Sequence, residues 1–450
     1  MSSMGMIFGI ASRNLVEAKR RSLFLGLALG LVTMLLVLLL SLSQGLSETM
    51  IHSATTLASG HVNVSGFFKA SAGDAAPIIT DRDTLRKIVL ENTPGLDYVI
   101  DRHRGWARVV SETSSLQAGL TGVELASDVQ LSKTLRVAPQ KDYVEGGADT
   151  VTGDITKLST PGTALIFAAQ AKRLGVDVGD NLTITVETLA GLRNTAEVTV
   201  IAVAKDIGMM SAWSVFVNRD TILELYRLKP DTTGAVMIYL KDIEQAPTVM
   251  THLRQVFGEK GYAIMDPEPI PFYMKFQKVS GEDWLGQKLD FTIWRDEVSF
   301  LTWVLTAVDS VSFFLISVLL VIIVVGITNS MYISVRERTR EIGTVRAIGM
   351  GKGSVLMMFM TEAILLGLIS TGAGALMGAL IAAIVDAAHI YIPIEAVQAV
   401  LMSDTVHLVV RPGQLLAAVL TFTTVTAIAA LWPALRAARL QPVTAMQSVT

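Results

Sequence analysis

The stretch SLFLGLALGLVTMLLVLLLSLS, residues 22–43, decides the fold. It carries no formal charge, and Lys19, Arg20 and Arg21 stand directly before it. About 20 apolar residues are enough for a helix to cross the hydrocarbon core of a bilayer. A signal peptide also starts with basic residues, but its apolar core is shorter than this one. We therefore predict a retained membrane helix.

Three further uncharged stretches of spanning length follow, at residues 310–335, 363–385 and 412–435. Only 17% of the 450 residues are charged, whereas a soluble domain usually has about a quarter. Residues 46–298 hold 25 basic and 32 acidic side chains, and the rest of the chain holds 12 and 8. The sequence thus combines a membrane portion with an inserted water-soluble domain, which excludes a purely soluble enzyme and a disordered protein.

The basic residues outside the inserted domain predict the orientation of the chain. With both termini in the cytoplasm, eleven of these twelve residues are cytoplasmic and only Arg411 is not. Cytoplasmic loops are enriched in Lys and Arg. We therefore expect a multi-pass membrane protein with both termini in the cytoplasm and the inserted domain on the extracytoplasmic side. That domain is slightly acidic, which argues against nucleic acid as a partner, and the absence of cysteine excludes disulfides.

The predicted fold class is membrane α-helical, with four transmembrane helices and a large α+β extracytoplasmic domain inserted between helices 1 and 2. The N-terminal residues fit equally a helix on the inner leaflet and an extension of the first span. The predicted segments are a cytoplasmic amphipathic N-terminus (1–21), membrane helices (22–45, 299–335, 354–385, 412–435), an extracytoplasmic α+β domain with a stalk (46–298), a short cytoplasmic helix (336–353), a short extracytoplasmic loop (386–411) and a cytoplasmic tail (436–450).

Alternating β-branched residues predict strands in the inserted domain, the last pair forming a hairpin around Ala190 and Gly191. Strands are expected at residues 61–67, 98–110 and 181–208, and helices at 81–92, 219–227 and 246–257. Residues 163–180 predict a strand that leads into a short helix ending at Gly175. Weak periodicity over residues 128–159 indicates two subregions. The Pro-rich residues 265–276 predict an exposed loop. Residues 281–300 are amphipathic and predict a helical stalk that continues into the second span.

No catalytic motif is visible in the sequence. HExxH, GxSxG and GxxxxGK[ST] are absent, and residues 349–354 (GMGKGS) predict a helix stop with a basic anchor rather than a phosphate loop. The six histidines lack metal-ligand spacing. Glu362 stands in an apolar run, where a charge usually faces protein or the interface. A proton relay is the less favoured alternative, so we expect no enzyme activity, metal or bound cofactor in this chain.

Two membrane-proximal patterns predict packing. Several small residues of the third span stand four apart, including Gly374 and Gly378, which allows a close helix approach, although ordinary bundle packing is the favoured interpretation. The small residues are Gly367, Ser370, Gly372, Gly374, Ala375 and Gly378. Residues 334–350 (SVRERTREIGTVRAIGM) place apolar side chains at roughly helical spacing among charged ones. They predict a short amphipathic helix between the second and third spans. Its apolar face must cover either the membrane interface or a partner, and periodicity alone leaves both open.

Residues 327–367, ITNSMYISVRERTREIGTVRAIGMGKGSVLMMFMTEAILLG, resemble the FtsX-like permease domain of type VII ABC transporters. That group includes MacB-type macrolide exporters and the LolC and LolE lipoprotein-release permeases. Residues 433–447 (PALRAARLQPVTAMQ) look like the closing motif of the family. Residues 163–186, 198–208 and 214–228 are similar to its MacB-like periplasmic core domain.

The resemblance implies a non-catalytic permease subunit that pairs with a second copy or paralogue. A separate cytoplasmic ABC ATPase would bind ATP and Mg²⁺, since only 21 residues precede the first span, where the macrolide exporters carry their ATPase. The resemblance implies an ATPase-coupling helix formed by Glu337, Arg338, Arg340, Glu341, Ile342, Gly343, Val345, Arg346, Ile348 and Gly349. Arg338, Arg340, Glu341 and Arg346 would make its polar contacts with the ATPase.

The expected function is coupling of ATP hydrolysis to periplasmic movement or membrane extraction of a lipoprotein or another amphiphile. Partners expected besides the ATPase are the lipid bilayer and a periplasmic carrier or adaptor protein. The alternative is a membrane-anchored, FtsX-like signal relay or sensor that acts on periplasmic partners.

Overall fold

The computed structural model describes residues 3–17, 19–71, 74–188, 190–394, 397–398, 403 and 405–441. Two compact units are present. The first, the membrane unit, contains the chain up to Glu48, Leu305–Tyr391 and the chain from Thr405; the second, the inserted domain, contains Thr49–Val304 and a short piece after Tyr391. Parts of the predicted loop (386–411), of the predicted tail (436–450) and of the motif at 433–447 lie outside the described residues.

The described helices are α1 (Ser3–Glu17), α2 (Lys19–Leu57), α3 (Arg82–Asn92), α4 (Val129–Thr134), α5 (Ala168–Leu174), α6 (Gly208–Ser211), α7 (Arg219–Tyr226), α8 (Ala246–Glu259), α9 (Lys275–Gly281), α10 (Trp294–Glu297), α11 (Ser299–Glu337), α12 (Thr339–Ala347), α13 (Lys352–Ala387) and α14 (Pro412–Ala438). The strands are β1 (Val62–Ser71), β2 (Asp74–Ala76), β3 (Leu96–Val110), β4 (Ser115–Val123), β5 (Thr163–Phe167), β6 (Asn181–Glu187), β7 (Arg193–Ala204), β8 (Ser214–Asn218), β9 (Ala235–Leu240) and β10 (Gly286–Ile293).

Four helices of the described chain are long and apolar enough to cross a membrane. They are Ser22–Leu57 of α2, Thr302–Glu337 of α11, and the whole of α13 and α14. The domain of strands and short helices lies between the first and second of them, so the predicted fold class is confirmed. α2 is longer than the predicted span, since it continues past residue 45 to Leu57.

Small residues bring α2 and α13 into backbone contact. A Cβ atom built on Gly374 would lie 2.8 Å from the Cα of Gly30, and one on Gly378 would lie 3.0 Å from the carbonyl oxygen of Met34. Side chains larger than hydrogen at these positions would hold the helices apart. The close helix approach that the spacing of Gly374 and Gly378 allows is therefore present.

The inserted domain contains an open antiparallel sheet in the order β10-β1-β9-β3. Its chain order is β1, α3, β3, then β9, α8, β10, and α3 and α8 pack against these strands and against each other. This is a split β-α-β arrangement, with a long insertion between β3 and β9. β1 and β9 are buried at six successive positions, so both faces of these two strands are covered.

The insertion closes into a ring of strands. Its pairing runs β3-β4-β8-β5-β7-β6, and β6 returns to β3 through the pairs Arg108↔Thr185 to Val110↔Thr183. The fifteen residues of β3 serve both parts, because the first half pairs with β9 and the second half with β4. The ring encloses an apolar core that includes Val109, Leu120, Ile166 and Val200. Two subregions are therefore present, joined through β3.

The helical stalk predicted over residues 281–300 is wrong for most of its length. Gly286–Ile293 forms strand β10, which pairs antiparallel with β1 from Val62 to Lys69. Leu289, Phe291 and Ile293 alternate at every second position, which is the period of a strand. Helix resumes only at Trp294, and the long helix into the second span begins at Ser299.

The Pro-rich segment is a loop only in its first half. Residues 266–269 form no regular structure, whereas Phe272 is buried and stacks on Phe67 with ring centroids 4.5 Å apart. α9 follows directly. The buried Lys275 of this helix contacts Asp290 of β10, which fixes the segment to the sheet. The exposed loop expected for residues 265–276 is therefore wrong beyond Pro271.

Candidate functional site

The short helix α12 connects the second and third membrane helices. It starts directly after α11 and ends in a turn at Gly349, whose φ of +111° favours glycine. The N–H of Gly349 donates to the carbonyl of Arg346, and that of Met350 to the carbonyl of Val345. This pair of bonds is the Schellman motif, which satisfies carbonyls at a helix end. The predicted helix stop at residues 349–354 is confirmed.

The inner face of α12 packs into the membrane unit. Ile342 is 3% exposed and lies in a cluster with residues of α11, α13 and α14. Gly343 beside it is buried as well. Ile342 was expected to seat the helix in a partner, but it packs among this chain's own helices instead.

Arg338 is held by two other parts of the membrane unit. Its Nη1 lies 3.2 Å from Oε2 of Glu362 in α13, and its Nη2 donates to the carbonyl of Asn14 in α1. The side chain of Glu362 is only 5% exposed, so the ion pair is largely shielded from water. Burying such a pair costs desolvation energy. Removing one partner is strongly destabilising, because it leaves the other charge buried and unpaired. Glu362 therefore faces protein, as the sequence predicted.

Arg346 also points into the chain, where its guanidinium donates to the carbonyl of Leu440, after α14. Arg338 and Arg346 thus attach α12 to α1, α13 and the segment after α14. The sequence did not identify these partners. A backbone carbonyl leaves no sequence signal, and nothing in the sequence indicated that Glu362 pairs with Arg338. Both arginines thus have partners within the chain, and the polar contacts with an ATPase expected for them stay a prediction.

The outer face of α12 is exposed. Ile348 is 82% exposed and Val345 is 38% exposed. Arg340 and Glu341 lie on the same face, one turn earlier, together with Thr344. Of the ten predicted residues, Glu337, Arg340, Glu341, Val345, Ile348 and Gly349 are exposed, whereas Arg338, Ile342, Gly343 and Arg346 are buried or partly buried. The exposed set mixes apolar and charged side chains, as a docking surface does.

A second functional feature lies where α2 ends inside the inserted domain. The last carbonyls of a helix have no partner within the helix and carry partial negative charge. Here Arg102 donates to the carbonyl of Leu57 at 3.1 Å, and Arg104 to that of Ala58 at 3.1 Å. The hydroxyl of Tyr239 donates to the carbonyl of Thr55 at 2.9 Å. We call this group of contacts the α2 clamp.

A buried ion pair supports the clamp. The guanidinium of Arg102 is fully buried, and its Nε donates to Oδ2 of Asp128 at 2.8 Å. Asp128 also caps α4 by accepting from the N–H of Leu131. Burial raises the pKa of the neighbouring Tyr239 to about 12, so its hydroxyl stays protonated and remains a donor. The end of the first membrane helix is thereby fixed to strands β3 and β9.

No group of three or more histidine and carboxylate side chains suited to a metal is present in the described part of the chain. Two other features are a helix with one anchored and one exposed face, and a membrane helix that ends in a charged clamp. With four spanning helices and an α/β domain inserted after the first, the fold is that of a multi-pass membrane protein.

Two family descriptions match the chain. Residues 313–442 match the FtsX-like permease C-terminal family, and residues 23–256, just over half of the chain, match the MacB-like periplasmic core domain. The chain therefore belongs to the MacB-like family of ABC transporter permeases, with an FtsX-like C-terminal region. Its inserted domain is the MacB-like periplasmic domain of a multi-pass membrane protein.

Individual relatives match over shorter segments. A macrolide export ATP-binding/permease protein of Nitrobacter winogradskyi is 40% identical over 122 residues, which are 27% of this chain and 17% of that relative. An uncharacterized ABC transporter permease of Methanocaldococcus jannaschii is 32% identical over 129 residues, 26% of this chain and 34% of the relative. The periplasmic region of MacB from Actinobacillus actinomycetemcomitans aligns at 11% identity with a TM-score of 0.27, over 45% of this chain and 87% of that one.

Proposed function

We propose that this chain is the non-catalytic membrane subunit of an ATP-driven machine, and that a separate cytoplasmic ATPase docks on the exposed face of α12. The single observation that carries the proposal is the 82% exposure of Ile348 on a helix whose other face is anchored. Ile348 and Val345 are both exposed on this face, and a docked partner would remove their apolar surface from water. ATP and Mg²⁺ would bind to that partner, and both termini would lie with α12 in the cytoplasm of a bacterial inner membrane.

The anchored face of α12 determines what a docked ATPase could move. Arg338 and Arg346 connect α12 to α1, α13 and the segment after α14, so a displacement of α12 would be shared by these elements. α2 is a single helix from Lys19 to Leu57 and ends in the α2 clamp. Movement of this helix along its axis would therefore act on β3 and β9 through the clamp.

The work done in the periplasm would be movement or membrane extraction of a lipoprotein or another amphiphile. A second permease copy or paralogue would complete the transporter, and a periplasmic carrier or adaptor would receive the cargo. What supports this choice is the membership of the MacB-like family together with a large domain placed directly after the first span. Macrolide export is the name of the curated relatives and is not transferred to this chain.

The docking proposal is tested with the chain in lipid nanodiscs and a candidate ABC ATPase subunit from the same organism. Ile348→Asp and Glu341→Lys change the exposed face and leave the anchored face intact. We expect each to reduce the stimulation of ATP hydrolysis by about tenfold, the effect of losing one central interface contact. Lys352→Glu is the matched control, because it reverses an exposed charge just outside α12. Wild-type stimulation by both variants would reject the docking face.

Transport and signal relay are separated by a second measurement on the same complex. Extraction predicts that ATP releases a fluorescent lipid-modified peptide from the nanodisc, and that Ile348→Asp abolishes the release. ATP-dependent stimulation without any release would favour the relay.

The orientation has its own test in intact cells. A cysteine at Ala169, exposed in the inserted domain, should react with an impermeant thiol reagent, and one at Thr344 should not. Equal labelling of both would contradict the orientation.

A further inference from the structure

The chain leaves the first membrane helix and enters the second at neighbouring places in the inserted domain. α2 ends at Leu57, and β1 begins at Val62. Val62 pairs with Ile293, the last residue of β10, and α10 and then α11 follow. The N–H of Trp294 in α10 donates to the carbonyl of His61 at 3.1 Å. The segment after α2 and the segment before α11 therefore lie side by side.

Arg104 of β3 contacts both of these segments. Its Nη2 donates to the carbonyl of Ala58, directly after α2, at 3.1 Å. Its Nη1 lies 3.9 Å from Oε2 of Glu297, the last residue of α10, two positions before α11 begins. Arginine suits such a bridge, because its guanidinium holds several N–H donors in a rigid plane. One side chain thus reaches the end of the first membrane helix and the start of the second.

Glu297 is fixed in place for this contact. Its Oε1 accepts from the hydroxyl of Thr292 at 2.7 Å, and its Oε2 accepts from the N–H of Phe272 at 3.4 Å. The central carbon of the Arg104 guanidinium lies over the ring of Phe272, 5.4 Å from its centroid. An aromatic face attracts a cation at this distance. The carboxylate and the ring therefore position Arg104 together.

Arg104 depends on Glu297 for its charge balance. Their side chains are 17% and 6% exposed, so little water reaches either charge. Burial lowers the pKa of Arg104, and Glu297 makes the largest contribution that opposes this shift. Without the carboxylate, the guanidinium would be left buried near Arg102, whose like charge repels it. A buried charge that loses its partner is strongly destabilising, so we expect Arg104 to move toward water and to leave the carbonyl of Ala58.

We propose that Arg104 is a positioning residue that couples the end of the first membrane helix to the start of the second. A displacement of α2 in the inserted domain would then reach α11 through Arg104 and Glu297, and the two helices would move there as one. The use of this coupling in ATP-driven movement rests on the proposed function. The coupling itself does not, because it lies within the inserted domain and needs no ATPase.

The test measures whether a change in α10 affects α2. It uses the full-length chain in lipid nanodiscs without ATPase and the reporter Ala54→Cys, because Ala54 is 0% exposed in the last turn of α2. Glu297→Gln keeps the size of the side chain and an acceptor for Thr292 but removes the charge. We expect it to accelerate thiol labelling of the reporter by roughly tenfold, which equals about 1.4 kcal/mol and is within the range of coupling energies between contacting groups. An unchanged rate would overturn the proposal.

Two further variants show whether the effect passes through Arg104. In a chain that already carries Arg104→Met, Glu297→Gln should not accelerate labelling further, because the link is absent and neither charge remains. The same acceleration with and without Arg104 would reject this residue as the link. Arg295→Gln is the matched control, because it breaks an exposed ion pair between α10 and Glu244. It should leave the labelling rate unchanged, and acceleration equal to that of Glu297→Gln would also reject the link.

A second reporter separates coupling from a general loss of stability. Ala171 is also 0% exposed, but it lies in the apolar core of the ring. Labelling of Ala171→Cys should keep its rate when Glu297→Gln is added, because Glu297 follows β10 of the open sheet. Equal acceleration at both reporters would overturn the proposal, since the contact would then stabilise the domain as a whole. No ATPase enters these measurements, so a failure of the docking proposal leaves their result unaffected.

Discussion

Replacement of Arg102 by Met tests the α2 clamp most directly. The guanidinium is fully buried, its Nη2 lies 2.7 Å from Oδ2 of Asp128, and it also holds the carbonyl of Leu57. Methionine keeps much of the apolar volume but leaves the Asp128 carboxylate in a site that is 2% exposed. Removal of one partner of a buried ion pair costs about 3–5 kcal/mol. Arg102→Met should therefore destabilise the inserted domain by about this amount.

The chain offers a clean assay because it contains no cysteine. Ala235 is fully buried and lies opposite Arg102 in the β3–β9 ladder, so Ala235→Cys reports opening of this region. When closing is faster than labelling, the rate of thiol labelling follows the population of the open state. Each 1.4 kcal/mol changes the population of the open state tenfold. Arg102→Met should therefore accelerate labelling by roughly 150- to 4,000-fold.

The double variant Arg102→Met, Asp128→Asn separates the ion pair from lost packing. Asparagine still caps α4 but carries no charge, so the uncompensated carboxylate disappears. We expect the double variant to recover at least half of the free energy lost in the single one. Two results would refute the reasoning. One is that Arg102→Met labels no faster than the chain that carries Ala235→Cys alone, and the other is that the double variant recovers no stability.

Three further predictions concern other contacts. Gly374→Val should lower the melting temperature by at least about 3 °C, as expected for overpacking by 1–3 kcal/mol, whereas Gly372→Val, with open space at its Cβ, should not. Burial raises the pKa of Asp290 despite the nearby Lys275, so the folded state binds a proton on this carboxylate more tightly than the unfolded state does. Lys275→Met leaves the ionised carboxylate buried without a cation. The loss of thermal stability caused by Lys275→Met should therefore be largest at neutral pH and should shrink as the pH falls through the raised pKa of Asp290. Glu362→Ala should speed tryptic cleavage within α12 several-fold, because Arg338 loses its partner, and equal cleavage in wild type and variant would contradict the anchoring.

Local signals were enough to predict the membrane helices and most elements of the inserted domain. Two such signals depend only on residues close in sequence. They are the lack of charge in residues 22–43 and the alternation of β-branched residues on both sides of the turn at Gly191. The hairpin forms as expected, with Asn181 opposite Thr199 and Glu187 opposite Arg193. These features need no knowledge of distant partners, which explains why they are visible in the sequence.

Long-range pairing was not visible in the sequence. The stretch RHR in β3 has the composition of a solvent-exposed strand, yet Arg102 and His103 are at most 1% exposed. They are buried because β3 belongs to both the open sheet and the ring, and because the end of α2 lies against it. β10 was misassigned for a related reason, since its partner β1 lies more than 200 residues earlier. Both cases depend on contacts that only the folded topology creates.

The candidate site was predicted as a segment but not as a surface. Ile342, Val345 and Ile348 are spaced by three residues, and each such step turns 60° short of a full helical turn. Ile342 and Ile348 therefore point about 120° apart, one into the membrane unit and the other outward. Periodicity located the helix correctly, but the division of its faces required the positions of Glu362, Asn14 and Leu440.

The division of faces also changes what the basic residues of α12 are expected to do. Arg338 and Arg346 are used inside the chain, and the exposed face keeps Arg340 and Glu341, which have opposite signs, beside Val345 and Ile348. Binding of the ATPase proposed here should then depend more on apolar burial than on net charge. Exposed charges are largely screened at 0.5 M salt. We expect this salt to weaken ATPase binding less than threefold in a nanodisc titration, whereas Ile348→Ala weakens it about tenfold. A strong salt dependence with an unaffected Ile348→Ala variant would place the binding energy in the charges instead.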